Sequence, residues 1–326
     1  MFRRLWVGAA LVVLAAAPAR TAEIDNVLPA ETDYVMFVNV RQALDSDITK
    51  KFALGQLKQA LEGNDAQKMI KKLGLDPLKD IDRVTIGGWG KDTKDQSFVL
   101  VVRGKFDAEK LFTAAQEEAK NNGDKLAIVE EGKYKLVKVT IDNQPKPIFV
   151  AVADEKTVVG GSDPKVAVAA IQAVEKKANP VLKKELAALV LKQDEKATMF
   201  ACGLTEGKID KLPPNVNIPN VDTAKLSKQL EKLQSIAITL RMTEDVALEV
   251  NAGMKDGDAA EDFGDSVDKL INTAKTFIPF IAGQQPKMKL LADELGQTLK
   301  SKVKEKDVLI TLKLSAEAIN KATTGE

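Results

Sequence analysis

The stretch "IDRVTIGGWGKDTKDQSFVLVVRG", Ile81–Gly104, determines which fold class the chain can belong to. Its middle, Gly87–Gln96, holds three glycines, a tryptophan and a lysine, and resembles the start of a phosphate-binding loop. A Walker A loop reads G-x-x-x-x-G-K-[ST] and opens a helix. Gly90-Lys91 would need glycine at position 85, where Thr85 stands, and Ser or Thr at position 92, where Asp92 stands. The next segment, Ser97–Gly104, is rich in β-forming residues, so no helix N-terminus faces the loop. Val84 and Ile86 alternate with polar neighbours before it. The stretch therefore reads as an antiparallel hairpin, with its glycines supplying permissive backbone angles.

Upstream, a strand at Thr32–Val40 precedes a helical stretch, Ile48–Leu61. Gly63-Asn64 breaks it, and a shorter helix runs to Leu73 with Gly74 just beyond. After the hairpin, Asp107 is placed to cap a helix whose Ala108, Leu111, Phe112, Ala115 and Ala119 share one side. Further strands are expected at Ala127–Val129, Tyr134–Ile141, Ile148–Ala153 and Thr157–Gly160. Ser162-Asp163-Pro164 then starts a helix, a cap followed by proline in the first turn.

The second half opens in the same order. "KATMFACGL", Lys196–Leu204, reads as a strand, and Leu233–Met242 and Val246–Gly253 as a hairpin. Next comes a helix with Phe263, Val267, Leu270, Ile271 and Ala274 on one side. A helix at Met288–Val303, a strand at Asp307–Leu314 and a short terminal helix complete it. Strand, helix, hairpin, helix is the opening of a split β-α-β arrangement. The expectation is an α+β fold of two related lobes, 20–178 and 179–326. Each would be an antiparallel-dominated sheet covered by helices.

The first residues speak to destination. Arg3 and Arg4 precede an uncharged, mostly apolar run, Leu5–Ala17, and Ala17-Pro18-Ala19 offers a cleavage site. Residues 1–19 are read as a secretory signal peptide. The run is too short to span a bilayer comfortably, and no later segment reaches that length, so no transmembrane segment is expected after cleavage. The protein is expected to be secreted or periplasmic. Removing the signal takes two arginines and no acids from the 48 basic and 47 acidic residues. A near-neutral, arginine-poor chain gives no electrostatic pull toward nucleic acid.

Composition closes several chemistries. There is no histidine and one cysteine. That removes Ser-His-Asp and Cys-His catalysis, and standard zinc, haem-c and iron–sulfur ligation. Trp6 leaves with the signal, so Trp89 is the only mature tryptophan and the aromatic platform usual for sugars is nearly missing. The acidic run Asp256–Asp265 fails the EF-hand template and reads as acids at a helix N-terminus. Cys202, among apolar neighbours, reads as a buried small residue. No catalytic, cofactor-binding or metal-binding residue and no cofactor is assigned.

Two stretches keep functional interest. Leu204–Ala224 is a long connection containing Pro213, Pro214 and Pro219, and long connections are often functional. Thr276–Gly283 is strongly apolar around Pro279. It reads first as a corner wrapped by the second lobe, with exposure to a partner or membrane surface as the alternative. Pro213, Pro214, Phe277 and Phe280 are the candidate partner-surface residues.

"LPAETDYVMFVNVRQALDS", Leu28–Ser46, with "LGLDPLKDIDRVTIGG", Leu73–Gly88, further on, resembles a group of uncharacterised secreted proteins of planctomycete-type bacteria. The resemblance implies export and an α+β fold, and transfers no site residues. The functional expectation is a non-enzymatic binding or envelope-associated protein whose partner is an unknown protein or envelope component. The alternative is a histidine-free hydrolase using carboxylates, for which a deep cleft with convergent acids would be the mark.

Overall fold

The computed structural model describes residues 22–90, 96–142, 144, 146–205 and 222–324. In the first half, strand β1 (Tyr34–Asn39) leads through five helices to β2. These are α1 (Val40–Asp45), α2 (Asp47–Phe52), α3 (Leu54–Glu62), α4 (Asn64–Leu73) and α5 (Pro77–Asp80). β2 (Ile81–Trp89), β3 (Ser97–Gly104) and α6 (Ala108–Asn121) come next, then β4 (Leu126–Glu131), β5 (Tyr134–Val139), β6 (Ile148–Asp154), β7 (Thr157–Gly161) and α7 (Pro164–Glu175). The second half begins with α8 (Lys184–Leu191), β8 (Met199–Leu204), α9 (Thr223–Leu230), β9 (Leu233–Met242) and β10 (Asp245–Met254). It closes with α10 (Gly257–Gln284), α11 (Lys289–Thr298), β11 (Lys300–Lys304), β12 (Asp307–Ser315) and α12 (Ala316–Thr324).

Capping chemistry sets many of the boundaries. Asp107, Asp163 and Asp222 each accept a backbone N–H bond from the first turn of α6, α7 and α9, satisfying donors that the helix itself leaves unpaired. Pro164 occupies the first turn of α7, where its missing N–H costs nothing. Gly74 ends α4 with φ 62°, a left-handed cap that favours glycine. Asp256 accepts from the Ala259 N–H at 2.8 Å, so the acidic run begins a helix as its composition implies.

The twelve strands form one sheet in the order β11-β12-β10-β9-β8-β1-β2-β3-β7-β6-β5-β4, and every pair is antiparallel. The fold is α+β with a large antiparallel sheet. The split β-α-β detail is not what forms, because β1 is joined across α1–α5 to its antiparallel neighbour β2. Nor do the halves carry separate sheets. β1 pairs with β8 in the register Val35↔Cys202 and Phe37↔Phe200, and the two phenylalanine rings stack with centroids 4.9 Å apart. Val35, Phe200 and Cys202 are buried, so this seam lies inside the core. The strand order of the first half, β1-β2-β3-β7-β6, corresponds to β8-β9-β10-β12-β11 in the second.

β2 and β3 pair antiparallel as expected, while residues 91–95 of their connection lie outside the described residues. The glycines of its first strand do a different job from the one expected. Only Gly90 takes a positive φ, 124°. Gly87 and Gly88 lie within β2, where an added Cβ would come within 2.5 Å of the Leu28 side chain and 2.1 Å of the Tyr34 ring. They make room for close packing, which no phosphate is needed to explain.

The sheet is covered on both sides. One face presents Val35, Val99, Val101, Leu136, Phe149, Val159 and Cys202 to residues 22–28, α7 and α8. The opposite face presents Val102, Val137, Val150, Val152 and Val158 toward α4 and α6. At the far end of that opposite face α10 and α11 pack on β11 and β12. One helix expectation fails: α11 stops at Thr298, and residues up to 303 do not continue it. Lys300–Lys304 instead pairs with β12 as a strand, its Ser301 and Val303 half-buried and its three lysines exposed. That is a period of two, which the helical reading overlooks.

Candidate functional site

α6 carries its apolar side over β4–β7, but the layer beneath it is not filled. An apolar cleft of about 650 Å³ opens between the helix and the sheet. Leu111, Phe112 and Ala115 form its roof, and Val102, Val137, Val139, Val150, Val152 and Val158 its floor. Leu73 and Leu75, from the end of α4 and the turn after it, close one side. The floor arises from strand periodicity: Val137↔Val150 and Val152↔Val158 are cross-strand partners and therefore share a face. Small residues explain the space, since Ala108 and Ala115 stand where larger side chains would reach the valines.

Charge is confined to the cleft's margin. Lys72, Glu118 and Lys135 are its only charged lining residues among those described. Lys72 Nζ lies 2.8 Å from Glu118 and 3.9 Å from Glu117. The Lys72 ammonium, with the Asn122 amide second to it, holds the Glu118 carboxyl below the usual range. Glu118 is thus a pinned anion, the opposite of a proton-poised catalytic acid.

The second half supplies an internal control. α10 comes after β10 as α6 comes after β3, yet Phe263, Val267 and Ile271 are buried against Ala252, Met254 and Val308. The same architectural layer is closed there and open under α6. A more polar cleft of about 680 Å³ lies between α8 and the strands β8–β10. There Lys183 is ion-paired with Asp33. Among the described residues no group of three or more Cys, Asp or Glu side chains could hold a metal ion.

The sequence-derived candidates lie elsewhere. Pro213 and Pro214 fall outside the described residues, as do residues 1–19. Phe277 and Phe280 sit on α10 and are 49% and 64% exposed, so the wrapped corner does not form. Pro279 is carried inside the helix, which continues to Gln284. Neither phenylalanine lines the apolar cleft. Sequence reading misses the cleft because its residues look like ordinary core. The α6 stripe and the valine strands are each recognisable, but their separation is not written in either. Among the described residues, no helix is long and apolar enough to cross a membrane.

No protein-family profile matches the chain, and no curated protein matches it. Solved structures do. Crystal form III of the treponemal protein TP0453 is similar over 93% of this chain and 99% of that one, with a TM-score of 0.50 at 10% identity. Crystal form I covers 94% and 98%, with a TM-score of 0.49 at 10% identity. At that identity the likeness speaks to the fold alone.

Proposed function

We propose that the protein is an exported, non-enzymatic binding protein that holds one apolar small molecule in the cleft beneath α6. The single observation that carries this reading is a cleft of about 650 Å³ lined almost wholly by valine, leucine, alanine and phenylalanine. That volume falls within the range of about 300–1,000 Å³ typical of small-molecule sites. Burying an apolar ligand there would gain roughly 25 cal/mol per Å² of apolar surface removed from water. Empty apolar space of this size otherwise costs packing contacts that the second half retains.

The hydrolase alternative asks for convergent acids in a deep cleft. This cleft offers one acid, Glu118, already bonded to Lys72 and depressed in pKa. Export rests on the reading of residues 1–19, and the common descent of the two halves on their matching strand order.

The test is a titration with a series of straight-chain alcohols against the purified protein, monitored by calorimetry. Saturable binding with a negative heat-capacity change is expected, tightening with chain length. Ala115→Trp places an indole in the cleft from its roof. It should weaken binding at least tenfold while leaving the far-ultraviolet circular dichroism unchanged. Equal affinity in the variant, or no saturable binding by the parent protein, would remove the cleft as the site.

A further inference from the structure

Among the described residues the sheet ends in two edge strands, β11 and β4, and they are built differently. β11, "KSKVK", carries Lys300, Lys302 and Lys304, the charged guard that prevents edge-to-edge pairing. β4, "LAIVEE", has four consecutive apolar residues, Leu126–Val129, with no lysine, no proline and no bulge in its register with β5. None of those four is fully buried.

Hydrogen-bond parity shows which groups face outward. β4 and β5 join through a two-residue turn, Gly132-Lys133, with Gly132 at φ 59°. The Thr140 N–H donates to the Lys125 carbonyl at 2.7 Å, which marks 125↔140 as a hydrogen-bonded pair. Residues 127, 129 and 131 then bond toward β5 as well, by the alternation of antiparallel ladders. The N–H and C=O groups of Ile128 and Glu130 and the carbonyl of Leu126 point to the open edge, whereas the Leu126 N–H already donates to the Asn122 carbonyl at 3.0 Å.

We propose that β4 is the docking edge for a second copy of this chain, paired antiparallel about a twofold axis through Ile128. In that register Ile128 meets Ile128 as a hydrogen-bonded pair, and the Glu130 N–H of the second copy donates to the Leu126 carbonyl. Both free outward N–H groups of the segment, those of Ile128 and Glu130, find a partner. Ala127 lies opposite Val129 on one face, so the centre is apolar. Lys125 falls opposite Glu131 of the second copy, and by symmetry this ion pair occurs twice. The Lys125 ammonium already stands at the surface, 2.6 Å from the exposed Asp142. Shifting the axis by half a residue would instead set Asp124 against Glu131. The edge is self-complementary in hydrogen bonding, apolarity and charge together, as an isologous contact requires.

The experiment is sedimentation equilibrium of the purified protein across the micromolar range, with amide exchange as a second readout. A monomer–dimer equilibrium is expected, with the amides of Ile128 and Glu130 exchanging more slowly as concentration rises and those of Leu126 and β11 unchanged. Glu131→Lys sets lysine against Lys125 and should raise the dimer dissociation constant roughly tenfold. Adding Lys125→Glu to it should restore the parent value. Ile128→Pro removes an outward N–H but none bonded to β5, and should leave a monomer. If that variant does not fold, the charge pair decides alone. A monomer at every concentration overturns the proposal, as does a dimer indifferent to Glu131→Lys.

Discussion

Cys202 stands on the seam between the halves, 2% exposed, with its thiol pKa pushed up by burial to about 12. An acid whose pKa is raised on folding holds its proton longer than the unfolded chain does. Its contribution to stability is therefore full below the ordinary value of 9.0 and is lost as pH rises toward about 12. At pH 8 the folded protein presents almost no thiolate, so a maleimide should react slowly in native buffer and quickly in denaturant. Rapid native labelling would mean that β8 is not buried against β1. The burial of this residue is legible because apolar and small neighbours surround it in sequence. Gly87 and Gly88 are legible only as flexible residues. Their use as space for Leu28 and Tyr34 depends on partners far back in the chain, which no local pattern carries.

At the scale of elements, caps and periodicity read well and apolar runs read poorly. Asp107, Asp163 and Gly74 mark helix ends because their chemistry is local. Thr276–Gly283 has the density of large apolar residues expected of core. α10 runs on through this stretch instead, and Phe280 is left 64% exposed near its end. Phe280→Ala should accordingly change unfolding free energy by less than about 0.5 kcal/mol, against about 3–5 kcal/mol for a buried aromatic. Chemical denaturation of the two proteins distinguishes these values directly. β11 passes for the end of a helix because its lysines suit an exposed helical face as well as a guarded strand edge.

For the whole molecule, the class and the antiparallel hairpins are legible from alternation in sequence, whereas the joining of both halves into one sheet is not. β1 and β8 are each apolar on both faces, which tells that they are central but not that they are neighbours. The cleft belongs to this scale too. It exists because α6, with Ala108 and Ala115 on its inner side, stands off a floor of valines that α10's phenylalanine and isoleucine would have reached. An unfilled apolar layer of that kind, where the matching layer under α10 is filled, is the ground for the binding role. The most direct measurement is mass spectrometry of the protein purified under gentle conditions, with organic extraction of whatever it carries. One apolar small molecule per chain is expected, present with the parent protein and absent from Ala115→Trp. The same molecule recovered equally from both proteins, or none from either together with no saturable uptake of the alcohol series, would contradict the binding role.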